Sequence, residues 1–130
     1  MSWDPKPHGK PILCVDFDGC IHSYKSGWQG ADIIPDPPVL GVFEWLEAAL
    51  EYFEIHIYSS RSSDIRGREA MHVYIKKHSS LANRFYFPVK KPRAWLSIDD
   101  RCICFNGQWS DPSFDPKNLL QFVPWYKEQK

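Results

Sequence analysis

The chain has 130 residues, 43% of them apolar and 25% charged, ordinary values for a soluble globular protein built as one domain (1–130) around one core. Lys plus Arg equals Asp plus Glu at 16 each, so the formal net charge is zero and exerts no general pull toward nucleic acid or anionic membrane, although a local basic patch stays open. No stretch approaches the ~18 apolar residues of a membrane span, and the start, MSWDPKPHGKP, has no apolar signal core, so the expectation is a cytoplasmic protein with no membrane partner.

PILCVDF is a short, β-rich apolar run without alternation, which predicts a strand buried on both faces. PDPPVLGVFEWLEAALEYF opens with prolines and then places Val42, Phe43, Leu46, Ala49, Leu50 and Phe53 at helical spacing. EIHIYSS predicts a second strand. SSDIRGREAMHVYIKKHS predicts a second helix, with Ser62 or Ser63 as its cap and Ile65, Ala70, Met71, Tyr74 and Ile75 as its apolar face. RFYFPV, AWLSIDD and RCICFNG supply a third, a fourth and a fifth strand. DPKNLLQFVPWYKEQ has a helical pattern that Pro124 would kink or end. Asp4, Asp111 and Asp115 adjoin prolines and suit turns or caps. Cys14, Cys20, Cys102 and Cys104 read as free thiols; for Cys102 and Cys104, a zinc half-site and two core thiols on a strand both stay open.

Strands alternating with helices predict right-handed crossovers and a mostly parallel sheet. In such sheets ligands sit at the carboxyl ends of the strands. Asp16 and Asp18 end the first strand, Ser59 and Ser60 the second, and Asp99 and Asp100 the fourth; Lys90 and Lys91 lie between the third and fourth. Clustered carboxylates without a counterion repel one another, and a hard divalent cation such as Mg²⁺ relieves the repulsion. Hydroxyls, backbone N–H groups and a lysine suit phosphate oxygens. The set describes a phosphoryl-transfer site.

These motifs, VDFDG, a strand ending in Ser, a Lys and a strand ending IDD, stand in this order between about Ile12 and Asn106. The pattern resembles the haloacid dehalogenase superfamily. The resemblance implies a Rossmann-like three-layer α/β core with a mostly parallel central sheet of about five strands. It implies Asp16 as nucleophile, forming an aspartyl-phosphate, and Asp18 as general acid/base. It gives phosphate contacts to Ser59, Ser60 and a lysine, with Lys91 preferred to Lys90 because it precedes Pro92. It gives Mg²⁺ to Asp16, Asp18 through its carbonyl, Asp99 and Asp100, with Asp100 the more direct ligand. The presence of Asp18 points to a phosphatase or phosphomutase, and Cys20 stands where the family usually has Thr. Caps could fit only in residues 20–37 and 89–94, so the resemblance is to small capless members, with a β-hairpin flap after the first strand.

In that flap Tyr24 and Trp28, which sit with Lys25 in a Gly/Ser-rich segment, are candidate substrate contacts, as are His22 within it and Arg61 beyond it. Trp28 could equally pack the flap down, and His22 could be structural. Arg61, Arg66 and Arg68, with VKKPR, form a local basic collar that could grip a second phosphate or a polynucleotide backbone. The pattern also resembles the phosphatase half of polynucleotide kinase/phosphatases, without the kinase P-loop. The leading expectation is a Mg²⁺-dependent phosphomonoesterase acting on a nucleotide, a nucleic-acid end or a small phosphometabolite. Its alternatives are a catalytically weak module that binds a phosphorylated partner and a receiver-like domain.

Overall fold

The computed structural model describes residues 9–127. Asp4 and the rest of the polar start lie outside the described residues, as does the end of the C-terminal helical pattern.

The apolar run PILCVDF builds β1, Ile12–Val15, in which Leu13, Cys14 and Val15 are buried. A strand buried this way needs neighbours on both edges. β2, Glu54–Ile57, pairs on one side and β3, Leu96–Ile98, on the other, both parallel, giving the order β2-β1-β3. The register sets Cys14 opposite His56 and Ser97, so all three strands end at one level.

Parallel neighbours require crossovers. The first carries α1, Val42–Ala49, and the second α2, Ile65–His78. α1 buries Leu46 and Ala49; α2 buries Met71, Tyr74 and Ile75. These pack with Leu13, Val15, Phe17, Ile21, Ile55 and Ile57 into one core. Asp64 caps α2, its carboxylate accepting the Arg66 N–H at 2.9 Å, in place of the expected Ser62 or Ser63. Ile65, expected on the apolar face of α2, is exposed. No helix among the described residues is long and apolar enough to cross a membrane.

The α/β class and parallel sheet are as expected, but the sheet has three strands among the described residues, not five. The expected third strand is reduced to one bridge, His56 to Tyr86, on the outer edge of β2. Ile57 donates to the Tyr86 carbonyl at 2.8 Å and Tyr86 to that of Ile55 at 3.0 Å, and Pro88, with no N–H, stops the ladder two residues on. The expected fifth strand does not form. Phe105 packs on Trp109 and Phe114, and Asn106 bonds to Asp111, so the segment folds on itself instead of extending along a neighbour. Its cysteines, Cys102 and Cys104, are exposed rather than in a core. Asp111 and Asp115 act as caps, Asp115 for α3, Pro116–Leu119, the short remnant of the expected C-terminal helix.

Residues 20–37 form no hairpin strands. Two backbone bonds close the base of the loop, Ser23 N–H to the Pro37 carbonyl at 3.0 Å and Val39 N–H to that of Ile21 at 2.8 Å. Beyond this base Ser26 binds the Asp36 carboxylate, and Tyr74 of α2 donates to the Asp36 carbonyl.

Candidate active site

The carboxyl ends of β1, β2 and β3 deliver Asp16, Tyr58–Ser60 and Asp99–Asp100 to one rim. Backbone bonds lock this rim together: Asp16 N–H donates to the Ile98 carbonyl at 2.9 Å, and Tyr58 N–H to that of Val15 at 3.1 Å.

Two cavities open there. One of about 270 Å³ is lined by Asp16, Asp18, Tyr24, Ser60, Asp99, Asp100, Arg101 and Tyr126. The other, about 140 Å³, is lined by Asp16, Ser59, Ser60, Lys91 and Asp99 with parts of β1 and β3. Asp16, Ser60 and Asp99 belong to both. Asp18, Asp100 and Arg101 line only the larger cavity, and Ser59 and Lys91 only the smaller. Lys91 lines the smaller cavity; Lys90 lines neither.

Burial raises the Asp16 carboxyl to about 9, and its hydrogen bond with Asp100 and the charge of Asp99 add to the rise. An oxygen of Asp16, an oxygen of Asp100 and the Cys20 sulfur lie within 4.8 Å of one another. Burial, followed by the charges of Asp16, Asp100 and Asp99, lifts the Cys20 thiol to about 12. The two carboxylates offer the hard oxygen donors that Mg²⁺ takes, and the raised Asp16 carboxyl marks a place short of positive charge. The residues fit such a cation. Asp99 also accepts the Arg101 N–H at 2.9 Å.

Asp18 stands in a different environment. The Arg61 Nε donates to its carboxylate at 2.9 and 3.2 Å, and His22 Nδ1 lies 2.9 Å from Oδ1. The Asp36 N–H donates to His22 Nε2 at 3.1 Å, which places the imidazole hydrogen on Nδ1, facing Asp18. His22 is fully buried with both nitrogens engaged, so it sits beneath the rim rather than on it as a substrate contact.

Arg61 likewise departs from the expected basic collar. It is fully buried, and its Nη1 donates to the carbonyls of Gly30, Ala31 and Ile33 at 2.8, 2.8 and 3.2 Å. Trp28 covers the guanidinium, its ring centroid 4.8 Å from Cζ. Arg61 thus ties Asp18 to the loop, and Trp28 packs that loop down. Gly67 makes the turn possible, because a Cβ there would run into the Arg61 carbonyl. Arg66 pairs with Asp64, and Arg68 donates to the Ser62 carbonyl. Ser59 is buried, and its hydroxyl accepts the Arg61 N–H at 3.0 Å.

Arg101 and Tyr126 are the lining residues the motifs did not single out. Arg101 follows the IDD pair directly, and its place at a strand end was the available signal. Tyr126 carries no local signal; a contact across the whole chain brings it there. Comparison with protein-family models, with curated proteins and with solved structures finds no match.

Proposed function

We propose that the chain is a Mg²⁺-dependent phosphomonoester hydrolase of the haloacid dehalogenase kind, acting through Asp16. The observation that carries this reading is the meeting of two cavities at Asp16, one with Asp18 and Asp100 and one with Ser59 and Lys91. Asp16 and Asp100 would hold the cation, with Asp99 and the Asp18 carbonyl completing its surroundings. Bound Mg²⁺ supplies charge that offsets the carboxylates and the phosphate oxygens.

Ser60, Ser59 and Lys91 orient the phosphoryl group from the other side. An Asp16 oxygen attacks phosphorus, the bond to the ester oxygen breaks, and Asp18, which must enter this step protonated, gives that oxygen its proton. Water then attacks the aspartyl-phosphate and loses a proton to Asp18, and the bond between phosphorus and Asp16 breaks to release phosphate. Arg61 and His22 hold the Asp18 carboxylate in one orientation through both steps. A three-layer α/β core and a cytoplasmic setting belong to the same proposal; the unpaired thiols suit the latter.

The test is phosphate release from p-nitrophenyl phosphate with and without Mg²⁺. The expected result is Mg²⁺-dependent turnover that Asp16→Asn abolishes. Turnover that survives Asp16→Asn removes the mechanism. Phosphopeptide or phosphate binding with no turnover favours the binding-module alternative.

A further inference from the structure

Two tyrosines, Tyr24 and Tyr126, line the larger cavity together with its carboxylates. The Tyr24 and Tyr126 rings meet edge to face, with centroids 5.5 Å apart at 81°. Two anchors hold Tyr126 there. The neighbouring Trp125 indole N–H donates to the Gly19 carbonyl at 2.7 Å, and Arg101 Nε and Nη2 donate to the Tyr126 hydroxyl oxygen at 3.3 and 3.1 Å. Gly19, at φ 86°, leaves room for the ring; a Cβ there would lie 2.7 Å from Tyr126 Cε1. Tyr24 itself has φ 60°, the left-handed region that a tyrosine rarely adopts. That backbone turns its ring toward Tyr126 and His22.

We propose that Tyr24 and Tyr126 form a subsite for the leaving group and select a phosphomonoester that carries a planar ring, a nucleoside monophosphate. The inference rests on the phosphomonoesterase reading, since it assigns the organic half of that substrate. A ring entering beside the carboxylates has an aromatic surface to lie against, since Tyr24 and Tyr126 both line the cavity. Stacking on such a surface is selective for flat groups and tolerant of their substituents. A single nucleotide fits better than a polynucleotide end. Arg61 is turned inward, Arg66 is paired with Asp64, and Arg68 is on the Ser62 carbonyl, so these three do not lay a phosphate track beside the cavity.

The test is calorimetric binding of adenosine 5′-monophosphate and glycerol 3-phosphate, with Mg²⁺, in the Asp16→Asn protein and in the same protein carrying Tyr126→Ala or Tyr126→Phe. The nucleotide is expected to bind more tightly than glycerol 3-phosphate. Tyr126→Ala is expected to cut that preference about tenfold, whereas Tyr126→Phe, which keeps the ring, holds it within about twofold. An equal loss for both ligands with Tyr126→Ala, an unchanged nucleotide affinity, or no preference at the outset would overturn the subsite. Nucleotide binding that follows Tyr126 while the wild type releases no phosphate sinks the hydrolase reading and leaves the subsite standing. Phosphate release from glycerol 3-phosphate without a nucleotide preference does the reverse.

Discussion

Arg61→Ala is the substitution most damaging to stability that the structure singles out. The side chain is fully buried and donates to Asp18, itself 8% exposed, and to carbonyls of the 30–33 loop. Removing one partner of a buried ion pair costs about 3–5 kcal/mol, because the other charge stays behind unpaired. The loop carbonyls add little to that figure, since Ile33 is exposed and the loop can return to water. A domain of this size has about 5–15 kcal/mol in all, so the variant keeps a fraction of it and melts about 10–20 °C lower. Urea melts followed by tryptophan fluorescence measure the loss. Arg61→Lys keeps a charge but cannot fork between Asp18 and the loop, and should fall between the two. Asp18→Asn in the Arg61→Ala background should cost less than the sum of the single changes, by more than about 1 kcal/mol. A loss below about 1 kcal/mol for Arg61→Ala, or strict additivity in the cycle, refutes the network.

Two other measurements follow from charge and burial. Burial pushes the Asp36 carboxyl up, but hydrogen bonds from the Ser26 hydroxyl and N–H outweigh it and hold it below the usual range. A depressed folded value contributes stability that is present above about pH 4 and is lost as pH falls through it. Asp36→Asn should therefore flatten the fall of the urea midpoint below about pH 4, and parallel curves for the two proteins would exclude this. Burial raises both Cys14 and Cys20, Cys20 to about 12, whereas Cys102 and Cys104 are exposed. Ellman's reagent at pH 8 should titrate Cys102 and Cys104 rapidly and the other pair only after denaturation; fast reaction at Cys20 in the native protein would contradict the site's electrostatics.

β1, β2 and α2 were legible because each is a run whose apolar pattern matches its element, and the strand-end rule then placed Asp16, Ser59 and Asp99 on one rim. RFYFPV was misleading in the same terms. Its composition is that of a strand, yet Pro88 cannot donate and only Tyr86 joins the ladder. RCICFNG is a short apolar run of strand length, but Phe105 finds Trp109 and Phe114 closer at hand. Arg61 was read as a surface cation because an arginine is almost never fully buried without a partner. That partner, Asp18, lies 43 positions away, and the carbonyls that accept from Arg61 Nη1 belong to a loop with no pattern at all. Tyr126 was out of reach for the same reason, with its neighbour Trp125 anchored 106 positions from Gly19.

Asp16 and Asp18 stand two residues apart and meet opposite electrical fates. Asp18 takes its counter-charge from within the fold: Arg61 is its ion partner, and the His22 imidazole gives it a second donor. No such cation pairs with Asp16 among the described residues. Its hydrogen-bonded neighbour is Asp100, and Asp99 adds a like charge. Had both carboxylates been structural, the same solution would have served both, since a second buried arginine relieves repulsion as well as the first does. The fold instead spends a fully buried guanidinium on Asp18 and leaves Asp16 open to a cavity with a lysine-bearing cavity beside it. A carboxylate kept short of positive charge at the mouth of an anion-suited pocket is one whose charge is to be balanced by something that arrives from solvent. That asymmetry, more than the count of acidic residues, is what supports the proposed roles, Asp16 as the reacting group and Asp18 as a group held in place to move a proton.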